Sequence, residues 1–234
     1  MKKESYVKAV YSVFFAGLVI ITIMNFILLK YVDVTYFFDN LDSFYSFFMI
    51  GFLIAYCLTK LLEWPLKNER GGKVLFLFYG IATIGQYVFI GALIGGIVLM
   101  SKGMGLINIE INATVVTTVI FGVLTLSGLK EDSKPKEHPI VNNIFISSVA
   151  VLIVNLFLKS NLVSIIVDIV LIIVLSVFIH QDAIKIKNRM IDFRGNTIMK
   201  YTYIFHDASN LIFDFIFLWL SIEDLMSKSQ NKDD

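Results

Sequence analysis

The chain has 234 residues, of which 57% are apolar and only 17% charged, with a mean hydropathy of +0.77 and a formal net charge of +1. That balance lies outside the range of soluble globular domains, and the sequence has no basic cluster interleaved with aromatics of the kind a nucleic-acid surface needs. A helix needs about 20 apolar residues to cross a bilayer, so the length fits about seven spans with short connections and no separate soluble domain. The single cysteine, Cys57, excludes an intrachain disulfide framework.

Residues 9–29 run without a charge after a start that holds Lys2, Lys3 and Lys8. The run is longer than a signal-peptide core and no A-x-A-like cleavage site follows, so an uncleaved first helix is expected. Further spans are expected at 43–60, 74–101, 111–129 and 139–158. A sixth, 160–182, is interrupted by Asp168, and a seventh, 201–222, carries His206, Asp207 and Asp214. The seventh is the least apolar. The expectation is an all-α, polytopic membrane protein made of one integral membrane domain over 1–234.

Basic loops are retained in the cytoplasm. With the N-terminus inside, the cytoplasmic segments hold 15 of the 20 lysines and arginines, while the first outer loop carries Asp33, Asp39 and Asp42. Lipid solvates leucine as well as a neighbouring helix does, so helices in a membrane associate through small residues and polar contacts. Gly91 and Gly95 form a G-x-x-x-G in the third span, and Ala113 and Thr117 stand four apart in the fourth. These read as packing positions.

An acidic side chain in a membrane helix costs roughly 2.5–3.5 kcal/mol even on the lenient insertion scale, so each one asks for a reason. Asp168 and Asp182 share one face of the sixth span, and Asp207 and Asp214 share one face of the seventh. From a rise of 1.5 Å per residue, Asp182 lies about 33 Å along its span and Asp168 about 12 Å. Asp207 lies about 9 Å into the returning span and Asp214 about 20 Å. Asp182 can then face Asp207 near the cytoplasmic end, with Asp168 and Asp214 as a looser outer step. Two carboxyls sharing a poorly hydrated site resist joint ionisation and sense protons. When both are ionised, they form a hard oxygen site for a cation such as Ca²⁺, to which Asn210 adds a further oxygen. Lys60, at the end of the second span, is at the depth of Asp182 and can pair with it, although a flanking lysine ordinarily snorkels to the headgroups.

His180-x-Asp182 and His206-Asp207 supply metal-ligand types, but residues 180 and 182 point about 200° apart on a helix and 206 and 207 about 100° apart. Neither dipeptide aims both groups at one metal. There is no H-E-x-x-H and no G-x-S-x-G, and no enzyme is expected.

Three stretches resemble the Bax inhibitor-1 (transmembrane Bax inhibitor motif) family. Ala113 to Leu126 is similar to its small-x-x-x-Thr-x-x-x-Phe-Gly segment. Asp182-Ala-Ile-Lys-Ile resembles its Asp-x-Gln-x-Ile ending, and Asp207-Ala-Ser-Asn210-Leu resembles its Asp-x-x-Asn-Leu. The family glutamine is replaced by Lys185 or Ile184, and Asp214 heads an Asp-Phe-Ile that imitates the last motif. The partner of Asp182 is therefore Asp207 or Asp214, with the 25-residue spacing favouring Asp207. The resemblance implies a seven-helix bundle with the seventh helix central, and a pH-sensitive calcium leak gated by a carboxylate pair that takes a proton or a cation. It implies no resident cofactor; the partners are the bilayer, Ca²⁺ and protons. The alternatives are a proton-coupled cation exchanger and a non-conducting regulator of a membrane partner. A multi-pass protein of a cell membrane is expected, bacterial rather than organellar, with its N-terminus in the cytoplasm.

Overall fold

The computed structural model describes residues 3–68, 72–131, 161–189 and 197–230, with 144, 147, 148 and 151 individually. These residues form helices and no strand: α1 (Lys3–Tyr31), α2 (Val34–Asp39), α3 (Leu41–Lys67), α4 (Lys73–Gly103), α5 (Ile107–Lys130), α6 (Asn161–Asn188) and α7 (Thr197–Gln230). The expected span at 139–158 lies largely outside the described residues. Among the described residues, five helices, α1, α3, α4, α5 and α6, are long and apolar enough to cross a membrane. The protein is an all-helical, multi-pass membrane protein.

The helices group into two compact units. Unit 1 comprises Met1–Ile107 with Met190–Ile212, and unit 2 comprises Asn108–Arg189 with Phe213–Asp234. The division falls inside α7.

In unit 1, α4 is the most buried of the apolar helices, and α1 and α3 both pack on it. The buried face of α1 runs through Val10, Phe14, Gly17, Ile21 and Leu28, a spacing that keeps one stripe turned to a neighbour. Phe15, Val19, Ile23 and Phe26 point away and are exposed, as lipid-facing residues are. The α1 stripe meets the two glycines of the G-x-x-x-G. A Cβ on Gly91 would stand 2.8 Å from the Ile21 carbonyl oxygen, and one on Gly95 would stand 2.8 Å from Leu28 Cδ1. Their packing role follows from that approach.

The loop between the first two spans folds into α2. Asp33 caps it by accepting from the backbone N–H groups of Thr35 (2.8 Å) and Tyr36 (3.2 Å). The Tyr36 and Thr35 amides together hold the Asp33 carboxyl below its ordinary value. The cap seats Phe37 among Phe44, Tyr45 and Leu99, closing one end of unit 1 with an aromatic cluster.

In unit 2, α5 is organised inside out. Its exposed face is Ile111, Val115, Val119, Val123 and Leu126, whereas the buried stripe is Glu110, Ala113, Thr117, Phe121, Thr125 and Gly128. The apolar face suits lipid and the polar one suits protein. Phe121 packs edge-on against Phe215 of α7 at 5.4 Å. A Cβ on Gly128 would fall 2.5 Å from the His180 carbonyl oxygen of α6, so glycine is required there for the helices to touch. Gly122, the glycine in the Phe-Gly pair, meets nothing within 4 Å among the described residues.

Candidate functional site

Within unit 1, the first half of α7 collects a buried polar cluster. Asp207 is 3% exposed, and its Oδ2 accepts a hydrogen bond of 2.7 Å from the Tyr6 hydroxyl of α1, which is itself buried. His206, one residue earlier, turns to α3, where its Nδ1 lies 2.8 Å from Glu63 Oε1. Lys67 bonds the same oxygen, and Lys60 reaches Glu63 Oε2 at 3.3 Å. Lys67 also lies over the Tyr203 ring, 4.9 Å from its centroid. Asn210 sits one turn beyond His206, with Nδ2 3.3 Å from His206 Nε2. Tyr87 and Ser209 share a hydrogen bond of 2.8 Å. The hydroxyl of Tyr79 is buried with no hydrogen-bond partner among the described residues, within electrostatic reach of Glu63 and Asp207.

Two features of this cluster differ from the sequence picture. Asn210 serves the imidazole of His206, and Lys60 makes its ion pair with Glu63. Glu63 was not singled out by the sequence, yet it gathers two lysines and a histidine. The signal was present in Lys60-x-x-Glu63-x-x-x-Lys67, an i, i+3 and i, i+4 arrangement that places all three on one helix face.

The Tyr6 contact gives a direct test. A buried carboxylate that loses a donor bears the cost of desolvation without compensation. Tyr6→Phe is expected to destabilise the protein by about 1–3 kcal/mol, measured by thermal unfolding in detergent, and Asp207→Asn should suffer much less from the same change. Equal losses in the two backgrounds would mean that the hydroxyl does not serve the carboxylate.

In unit 2, Asp182 accepts from Lys185 at 2.8 Å, and His180, two residues earlier, turns instead to Glu131, with Nε2 2.8 Å from its Oε2. Asp214 lies within electrostatic reach of both Asp182 and Lys185. Its Oδ2 is sealed from solvent and has no hydrogen-bond partner among the described residues. Asp182 and Asp214 therefore lie within electrostatic range of each other in unit 2. Asp207 belongs to unit 1 and is satisfied there by Tyr6.

Asp168, 3% exposed, has a different explanation from the other acids. Lys228, near the end of α7, reaches its Oδ2 at 2.8 Å and also bonds Ser164 and Asp224. The aspartate is the buried half of an ion pair that ties α6 to α7.

The family model described as inhibitor of apoptosis-promoting Bax1 matches residues 3–231. The chain belongs to the Bax inhibitor family. A search of curated proteins finds no match. On this Bax inhibitor family chain, Asp182 stands near the C-terminal end of α6 and Asp207 in the first half of α7, ten residues after its start at Thr197. Asp214 lies two turns deeper along α7 than Asp207.

Proposed function

We infer that this Bax inhibitor family protein is a pH-sensitive calcium leak, in which aspartates of α6 and α7 exchange a proton for a cation. The observation that carries this reading is the Oδ2 of Asp214, which is sealed from solvent and has no hydrogen-bond partner among the described residues. A carboxylate as sealed as that of Asp214, with a second one on α6, is held at low cost only when it takes a proton or shares a cation. Lys185 offers Asp182 a competing partner, so uptake or loss of a proton redistributes Asp182 between the lysine and its acidic neighbour. That redistribution biases two arrangements of α6 against α7, and the leak follows the population of the open one. The ion is calcium because two hard oxygen ligands of double negative charge suit it, with water completing its shell. The protein acts without enzymatic chemistry or a resident cofactor, in a cell membrane with its N-terminus in the cytoplasm, as the excess of basic residues on that side supports.

The test is Ca²⁺ flux into liposomes containing the purified protein between pH 5 and 8, with Asp182→Asn, Asp214→Asn and Asp207→Asn alongside. Wild-type flux is expected to depend on pH, and Asp182→Asn and Asp214→Asn should both flatten that dependence. If Asp207→Asn flattens it and Asp214→Asn does not, the gating carboxylate is the one in the family motif. Proton movement in fixed ratio to calcium would make the protein an exchanger, and flux no greater than in empty liposomes would make it a non-conducting regulator.

A further inference from the structure

Threonines inside membrane helices have two inexpensive ways to satisfy their hydroxyls, and α5 uses both. Thr114 and Thr118 donate to the carbonyls of Glu110 and Thr114 one turn back, at 2.7 and 2.8 Å. Thr114 Oγ1 also accepts from Trp219 Nε1 of α7 at 3.1 Å. Thr117 and Thr125 use neither. They are 0% and 7% exposed, and their hydroxyl oxygens have no hydrogen-bond partner among the described residues. Both lie on the stripe that turns inward to α6 and α7, where valine would fill the same volume without a stranded hydroxyl.

Asp214 Oδ2, which also has no hydrogen-bond partner among the described residues, belongs to the same region. Trp219 meets Thr114 and Phe215 meets Phe121, so α7 descends as α5 climbs, and Asp214 adjoins Phe215 at the level between Thr117 and Thr125. On the α6 side, Gly128 of α5 abuts His180 and Ala183, which places the Asp182 turn beside the Thr125 end of the stripe. Thr117 Oγ1, Thr125 Oγ1 and Asp214 Oδ2 are three sealed polar atoms, on two helices, that have no hydrogen-bond partner among the described residues.

We propose that Thr117 and Thr125 line a hydrated path inside unit 2, onto which Asp214 opens, and that water and a partly hydrated cation are the ligands their hydroxyls and its carboxylate receive when α5 parts from α6 and α7. This rests on the leak reading and adds to it the wall of the path. In this closed packing the described residues offer these groups no partner, and a buried polar group without one costs the closed arrangement and favours its opening. The Phe121 ring, between the two threonines on the stripe and against Phe215, closes the path at its middle.

The experiment is cysteine accessibility in liposomes, using a charged, membrane-impermeant methanethiosulfonate and a Cys57→Ser background, since the native thiol is exposed. Thr117→Cys and Thr125→Cys are expected to be modified at least about tenfold faster than Val119→Cys and Val123→Cys, because the reacting thiolate forms only where water reaches it. The valines are 59% and 61% exposed on the opposite face, so they separate water from lipid as the surroundings. Thr117→Val and Thr125→Val, which keep the packing, are expected to lower flux without lowering the unfolding temperature. Modification at 117 and 125 no faster than at 119 and 123 would overturn the path, whatever the flux. Fast modification in a protein that passes no calcium would leave the hydrated path standing and remove the leak.

Discussion

Lys228→Met is expected to destabilise the protein by about 3–5 kcal/mol, the range for removing one partner of a buried ion pair. Lys228 is the cation that the structure sets against Asp168 at 2.8 Å, and the two side chains are 17% and 4% exposed. Methionine keeps much of the apolar stem and removes the charge, so Asp168 is left in the packing of α6 and α7 without a counter-ion. Asp224 loses its partner as well, but its side chain is 47% exposed and its share is small. The double variant Lys228→Met with Asp168→Leu should recover most of the loss, because replacing both members of a buried pair is often neutral. Unfolding in detergent micelles, measured for the two single variants and the double, gives the coupling directly. Additive losses would mean that the pair does not hold α6 to α7 and that Asp168 has another reason to be there.

The apolar runs that marked the spans are legible because lipid tolerates almost nothing else, but they locate the hydrocarbon and not the helix ends. The second run stops at residue 60, whereas α3 continues to Lys67, since backbone hydrogen bonding is indifferent to the charged side chains that follow. Those extra two turns carry Glu63, and a reading confined to uncharged segments passes over it. The short helix α2 was hidden for a related reason: its signal is the Asp33 cap, with Phe37 buried behind it, and six residues are too few for periodicity to register. The seventh span is weak in hydropathy because α7 is largely covered by protein. Tyr201 and Phe217 are the only large apolar side chains that it exposes among the described residues. The acids were found because charge in a membrane is rare, but their partners were not, since a carboxylate announces itself in sequence and the tyrosine or lysine that satisfies it does not. Tyr6 and Asp207 are 201 positions apart. Lys228 falls beyond the expected last span, where it reads as part of a tail, and only the length of α7 brings it back to Asp168.

The seam between α1 and α4 predicts opposite outcomes for the same substitution at different glycines. A methyl group at Gly91 would stand 2.8 Å from a backbone oxygen, 2.9 Å from Met24 Cβ and 3.0 Å from Ile21 Cα, none of which can move without the helix they belong to. Gly91→Ala is therefore expected to push α1 off α4 and to cost about 1–3 kcal/mol, the range for overpacking a filled interior. Gly91→Leu should prevent α1 from docking at all. Gly80 lies on the same helix with nothing within 4 Å of the place a methyl group would take, and Gly122 of α5 is equally open. There the substitution meets no neighbour and removes the backbone freedom of glycine, so Gly80→Ala and Gly122→Ala are expected to stabilise their helices by about 0.5–1 kcal/mol. Unfolding temperatures in a single detergent compare the three variants. A loss at Gly80 equal to that at Gly91 would show that α4 requires flexible glycines. The predicted split ties the G-x-x-x-G to close approach, because only close approach distinguishes glycines on one helix by what faces them.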